Sequence, residues 1–101
     1  MKLLIITAVA QFENEVKQIL KKAQVKTFSY REVTGYRNTS EDAIESNWFG
    51  TEMNENESIL FYAFVENEKI DSVFNAIDEF NAKQETLSHI HSVIINIKKS
   101  N

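Results

Sequence analysis

No cysteine occurs among the 101 residues, which excludes disulfides, thiolate metal sites and cysteine nucleophiles and fits a reducing compartment. Glycine is nearly absent too. With only Gly35 and Gly50, the chain has no glycine-rich phosphate cradle, and it carries no nucleophile elbow, zincin helix or EF-hand loop. An enzyme is therefore not the first expectation. No apolar run approaches the roughly 18 residues of a membrane span, and a net charge of −4 argues against a nucleic-acid binder. Lys2, the run Leu3 to Ile6 and the triplet Ala8-Val9-Ala10 imitate a secretory signal but fall short of the roughly 15 to 30 residues one needs. A cytoplasmic protein without membrane insertion is expected.

The shortage of positive charge is local. From Gly35 to Glu57, Glu41, Asp42, Glu45, Glu52, Glu55 and Glu57 face a single base, Arg37, a formal charge of −5 that leaves +1 for the rest of the chain. The same stretch holds both glycines and the only tryptophan. Connections in compact domains are typically about four to six residues long, so an excursion of this length is expected to be a working surface or disordered. The remainder, in a chain 43% apolar and 11% aromatic, reads as one globular domain. Its roughly 80 residues make a small core, for which help from a partner subunit is common.

Hydrophobic period divides the chain. Leu3 to Val9 is apolar with little alternation, as in a strand covered on both faces. From Gln11 the offsets turn helical, with Phe12, Val16, Ile19, Leu20 and Ala23 on one side and Glu13 and Lys17 paired at i, i+4 on the other. Val25 to Tyr36 alternates and carries Lys26, Arg31 and Glu32, which predicts a more exposed strand. After the excursion, Ile59 to Val65 is again apolar almost throughout. Asn67 offers an N-cap for a second helix with the stripe Ile70, Val73, Phe74, Ile77 and Phe80, ending at Asn81 or Lys83. Ser88 to Lys98 reads as the last strand.

The order βαββαβ predicts an α+β, ferredoxin-like fold, a four-stranded antiparallel sheet with two helices on one face and the first and third strands in the middle. Those two strands read as apolar on both sides. Two helices cover one face only, so a homo-oligomer packed sheet to sheet is expected.

Chemistry-bearing residues are few. His89 and His91, one residue apart on a predicted strand, would point the same way about 7 Å apart and offer two metal ligands. Glu85 or loop carboxylates of another subunit would have to complete a site for zinc, copper or nickel; the alternative is a pair of hydrogen-bonded histidines at a strand end or interface. The acidic residues of the excursion either hold a hard cation or form a solvated face. Trp48-Phe49-Gly50 places two large aromatics in a polar stretch, where they anchor either the loop or a partner. Phe28 and Tyr30 read as packing.

The run Glu32-Val33-Thr34-Gly35-Tyr36-Arg37 leading into a long loop, in a βαββαβ chain of this length, resembles the PII signalling superfamily. The resemblance spans the chain in layout, and its local motif is the Val-x-Gly-aromatic ending of the second strand. It implies a trimer whose loop after strand two, the T-loop, here residues 37–57, docks a transporter or enzyme through Trp48 and Phe49. It further implies a small effector at the subunit clefts near Gly35, Arg37 and Lys98. Departures are plain: Asn81 to Ser88 contains no glycine, basic residues past the last strand reduce to Lys98 and Lys99, and the loop has no tyrosine to modify. ATP or ADP is accordingly not the expected effector. The sequence is similar to divergent PII-like proteins, some associated with metal transport, and to the related trimeric CutA family, linked to divalent metals. The expected function is a non-catalytic regulator that docks a partner through its loop. The alternative is a transition-metal protein using His89 and His91, and a third reading is a small enzyme with a histidine on the sheet face.

Overall fold

The apolar run at the start of the chain becomes strand β1 (Lys2–Val9), which lies inside the sheet with a hydrogen-bonded neighbour on each side. The computed structural model describes residues 1–36 and 55–101. Within them β1 leads through a 3-10 turn (Ala10–Phe12) to helix α1 (Glu13–Lys22), then strands β2 (Ser29–Tyr36) and β3 (Glu55–Val65), helix α2 (Asn67–Ala82) and strand β4 (His91–Asn96). The sheet order is β2-β3-β1-β4 with every pairing antiparallel. The predicted βαββαβ layout and the central places of the first and third strands are thus observed.

One face of the sheet carries the core. Leu4, Ile6 and Ala8 of β1 and Ile59, Phe61, Ala63 and Val65 of β3 pack with Val16, Ile19 and Leu20 of α1 and Val73 and Ile77 of α2. Fully burying side chains of this size contributes about 1.5–3 kcal/mol each. At the rim, the rings of Phe12 and Phe80 meet edge to face at 5.0 Å and join the start of α1 to the end of α2. Tyr30 stacks on Phe61 at 5.2 Å, so its packing role is as read from the sequence. The predicted Glu13–Lys17 pair forms at 2.7 Å. Lys17 also donates to the Tyr30 hydroxyl at 2.9 Å and sits 4.3 Å from that ring's centre. These partners, the Glu13 hydrogen bond first, raise the pKa of the Lys17 ammonium and keep it charged to more alkaline pH.

Four boundaries differ from the sequence reading. First, β2 starts at Ser29 rather than Val25. Helix α1 ends in a Schellman turn, with Val25 N donating to Leu20 O at 2.9 Å and Gln24 N to Lys21 O at 3.0 Å, and Gln24 takes the left-handed φ of 64°. Lys69 Nζ fastens the Gln24 carbonyl at 2.9 Å. Second, β3 starts at Glu55 rather than Ile59, because it pairs with β2 up to Tyr36↔Glu55; backbone pairing overrides the low strand propensity of Glu and Asn. The stretch outside the strands therefore shrinks to residues 37–54, and Gly35, Tyr36, Glu55 and Glu57 belong to the sheet. Third, Glu66, not Asn67, holds the N-cap position of α2, and it makes no side-chain capping bond. Acidic support comes instead from Glu68, whose carboxyl is held below its usual pKa first by its own backbone N–H and then by a hydrogen bond with Glu66.

Fourth, β4 runs from His91 to Asn96 rather than from Ser88 to Lys98, matching the extent of its ladder with β1 from Thr7↔His91 to Lys2↔Asn96. Ahead of it, Asn81 supplies what a neighbouring strand would. Its Oδ1 accepts from Ile90 N and its Nδ2 donates to Ile90 O, both at 2.8 Å. This two-point clamp fixes buried Ile90 against the end of α2. Asn81→Ala should leave both Ile90 backbone groups without these partners and cost about 1–3 kcal/mol, read as a lower urea midpoint at unchanged slope; a midpoint equal to that of the unmodified protein would contradict the clamp.

Candidate functional site

Strand alternation gives the sheet a second face. Register places its side chains in rows: Ile95, Leu3 and Phe64; Val93, Ile5, Tyr62 and Ser29; His91, Thr7, Leu60 and Arg31; and Val9, Ser58 and Val33. The first two rows are almost wholly apolar. No helix among the described residues packs on this face, and Val93, Tyr62, Ile95 and Phe64 stand 39–57% exposed. A contiguous apolar surface of this kind is a candidate interaction site. Within the third row Thr7 is 6% exposed, yet its Oγ1 has no hydrogen-bond partner among the described residues. Buried hydroxyls are ordinarily satisfied, so the face carries an unmet polar requirement beside His91 as well as an apolar one.

The histidines fall at the edge of this surface. His91 opens β4, half-buried, in register with Thr7. His89, also half-buried, lies two residues ahead of the strand rather than within it. The clamped Ile90 separates them and points to the core. Among the described residues no group of three His, Asp or Glu side chains gathers to hold a metal ion.

The three residues assigned to an effector do not meet in one chain. Gly35 is buried near the end of β2, level with Asn56, whereas Lys98 is exposed past β4, beyond the Lys2↔Asn96 pair. At about 3.3 Å per residue they lie on the order of 35 Å apart along the strands. Arg37, Trp48 and Phe49 lie outside the described residues, as do Glu41, Asp42, Glu45 and Glu52. Register still fixes where that stretch is attached: Tyr36 and Glu55 are paired, so residues 37–54 leave and re-enter at one end of the β2–β3 ribbon. Sequence reasoning missed the Asn81 clamp, since an asparagine at a helix end reads only as a stop signal, and it missed the Thr7 hydroxyl, which is isosteric with valine in an apolar run.

With this geometry in hand, the fold can be placed. No protein-family model matches the chain, and no curated protein matches it in sequence. Solved structures do. CPII, a nitrogen regulatory PII-like protein from Thiomonas intermedia K12 whose structure contains ADP, AMP and bicarbonate, superposes with a TM-score of 0.60 at 14% identity over 97% of this chain and 94% of CPII. A DUF3240 family protein from Shewanella baltica OS155 superposes with a TM-score of 0.66 at 12% identity, over 99% of this chain and 92% of that one. The fold is therefore that of the PII-like proteins, as the layout and the Val33–Tyr36 motif implied. Among the described residues no helix is long and apolar enough to cross a membrane.

Proposed function

We propose that this chain is a non-catalytic, PII-like regulator that assembles through its open sheet face, binds a small effector where subunits meet and docks a partner, such as a transporter, through residues 37–54. The observation that carries the reading is the uncovered apolar face in a fold shared with a PII-like protein. A second copy laid on that face would cover Tyr62, Phe64, Val93 and Ile95. It would also resolve the separation of Gly35 from Lys98, because neighbouring chains can contribute one each to a cleft. A trimer is the assembly implied by the resemblance.

The acidic stretch with Trp48 and Phe49 then has the position of a T-loop. Large aromatics are the side chains that dominate interface energetics, and an order change in such a segment is a sufficient switch. Two measurements test the reading. Ile95→Lys together with Val93→Lys should lower the native mass from oligomer to monomer while the circular dichroism spectrum stays unchanged; an unchanged mass would remove the open face as the interface. Deleting residues 40–54 should leave the native mass per chain consistent with the same oligomer and abolish capture of the partner from the native host. Undiminished capture would exclude the loop.

A second reading, a metal-binding protein of the CutA-like or metal-efflux-associated kind, is favoured by one feature: the Asn81 clamp holds the backbone between His89 and His91 in place, which pre-orders the two imidazoles. Another subunit would supply the missing ligands. Calorimetry with zinc, copper(II) and nickel should then show heats that vanish in the His89→Ala, His91→Ala protein and weaken as pH falls, because imidazole ligates only when neutral. Equal heats in both proteins would dismiss it.

A further inference from the structure

At the end of the sheet opposite the attachment of residues 37–54, where β1 begins and β3 and β4 finish, two adjoining cavities open. One, of about 580 Å³, is lined by Met1, Phe64, Ile97, Lys98 and Lys99 together with the chain that follows. The other, of about 210 Å³, shares Met1 and Phe64 and adds Lys26, Glu66 and Lys69. Their common wall is apolar and accessible, with Phe64 57% and Met1 68% exposed. Around it stand four lysines, and none makes a salt bridge among the described residues, where the one ion pair is Lys17–Glu13. Lys69 is held in place by a neutral acceptor, the Gln24 carbonyl, which orders the ammonium without cancelling its charge. Glu66 and Glu68 offset part of this field, and the lowered pKa of Glu68 reflects Lys69 among lesser causes.

We propose that this pole is a binding site for a small organic anion carried on an apolar body, an acyl or aryl phosphate or carboxylate. The volume of the larger cavity falls in the range of ligand pockets. Phe64, Met1 and Ile97 accept the apolar body, while Lys98 and Lys99 on one side and Lys26 and Lys69 on the other receive the anion through charge-assisted hydrogen bonds. The limb formed by Val25, Lys26, Glu66 and Lys69 lies past the ends of β2 and β3, off the open sheet face, whereas Phe64 belongs to that face, so a second copy that covers Phe64 leaves the site its outer, lysine-bearing limb. The proposal does not rest on the regulatory reading, though it shares Phe64 and Lys98 with it, and it concerns the pole away from residues 37–54.

The test is a fluorescence titration of the full chain with 1-anilinonaphthalene-8-sulfonate, followed by competition with decyl phosphate, decanoate and inorganic phosphate. Expected is saturable binding at one site per chain, displaced by decyl phosphate or decanoate, whichever headgroup the site prefers, and not by inorganic phosphate at equal concentration. Lys98→Glu with Lys99→Glu should weaken the dye about tenfold or more, whereas Lys22→Glu, on the exposed end of α1, should leave it unchanged. Native mass and circular dichroism, measured on the same samples, should be the same for all three proteins. Equal dye affinity in the Lys98, Lys99 variant would overturn the site. So would competition by inorganic phosphate as effective as by decyl phosphate, which would show a charge patch without a pocket. Co-sedimentation with phosphatidylglycerol vesicles without saturable dye binding would overturn it in favour of a membrane-contact surface.

Discussion

Two central strands that are apolar on both faces, served by helices on only one, set the terms for the whole molecule. β1 and β3 each bury one row of side chains beneath α1 and α2, and each presents a second row to the opposite side. Burial of the first row stabilises the chain by an amount that grows with apolar area, about 25 cal/mol per Å². In the second row Thr7, Val9 and Ser58 are already buried, whereas Tyr62, Phe64, Val93 and Ile95 keep much of their surface exposed. A sequence needing only to fold alone would place polar residues there, as antiparallel sheets with one solvated face do. The exposure of Tyr62, Phe64, Val93 and Ile95 at such positions is what the proposed assembly would relieve.

The same sheet sorts charge along its length. Antiparallel pairing fixes the attachment of residues 37–54, with their surplus of acids, at the end where β2 finishes and β3 begins, and it fixes Lys26, Lys69, Lys98 and Lys99 at the other. Neither feature follows from composition, since a net charge of −4 averages them away. The four lysines therefore stand at the end of the sheet away from that attachment, and strand direction alone assigns them to it.

Most of the architecture was legible because hydrophobic period changes sharply from element to element. Val16, Ile19 and Leu20 at helical offsets, and Ile59 to Val65 without alternation, admit little other arrangement. What escaped was decided by backbone hydrogen bonds between residues distant in sequence. Glu55 to Glu57 read as part of an acidic loop, yet the ladder to β2 makes them strand. His89 reads as strand from its alternating neighbours, yet the β1–β4 ladder stops at Thr7↔His91 and the Asn81 amide takes over at Ile90. Gln24 adopts a conformation that glycine normally occupies, and no local signal distinguishes it from the glutamines around it. The candidate site was less legible still, because the residues assigned to it by resemblance belong to opposite ends of one chain.

That last separation links the assembly to the chemistry. Gly35 and Lys98 cannot share a ligand within one chain when the strands between them hold them on the order of 35 Å apart. An effector site built from both exists only if a neighbouring chain is aligned so that its β4 end approaches the β2 end of the first. The histidine pair carries no such requirement for its first two ligands, which sit on either side of one clamped residue in a single chain. The two readings thus depend on association in different ways: the regulator has no effector site without an oligomer, whereas a metal reading retains a two-ligand fragment whose affinity rises when a second chain supplies the rest. Disrupting the open face while following each ligand separates them, since loss of all effector binding belongs to the first case and retention of weak imidazole-dependent metal binding to the second.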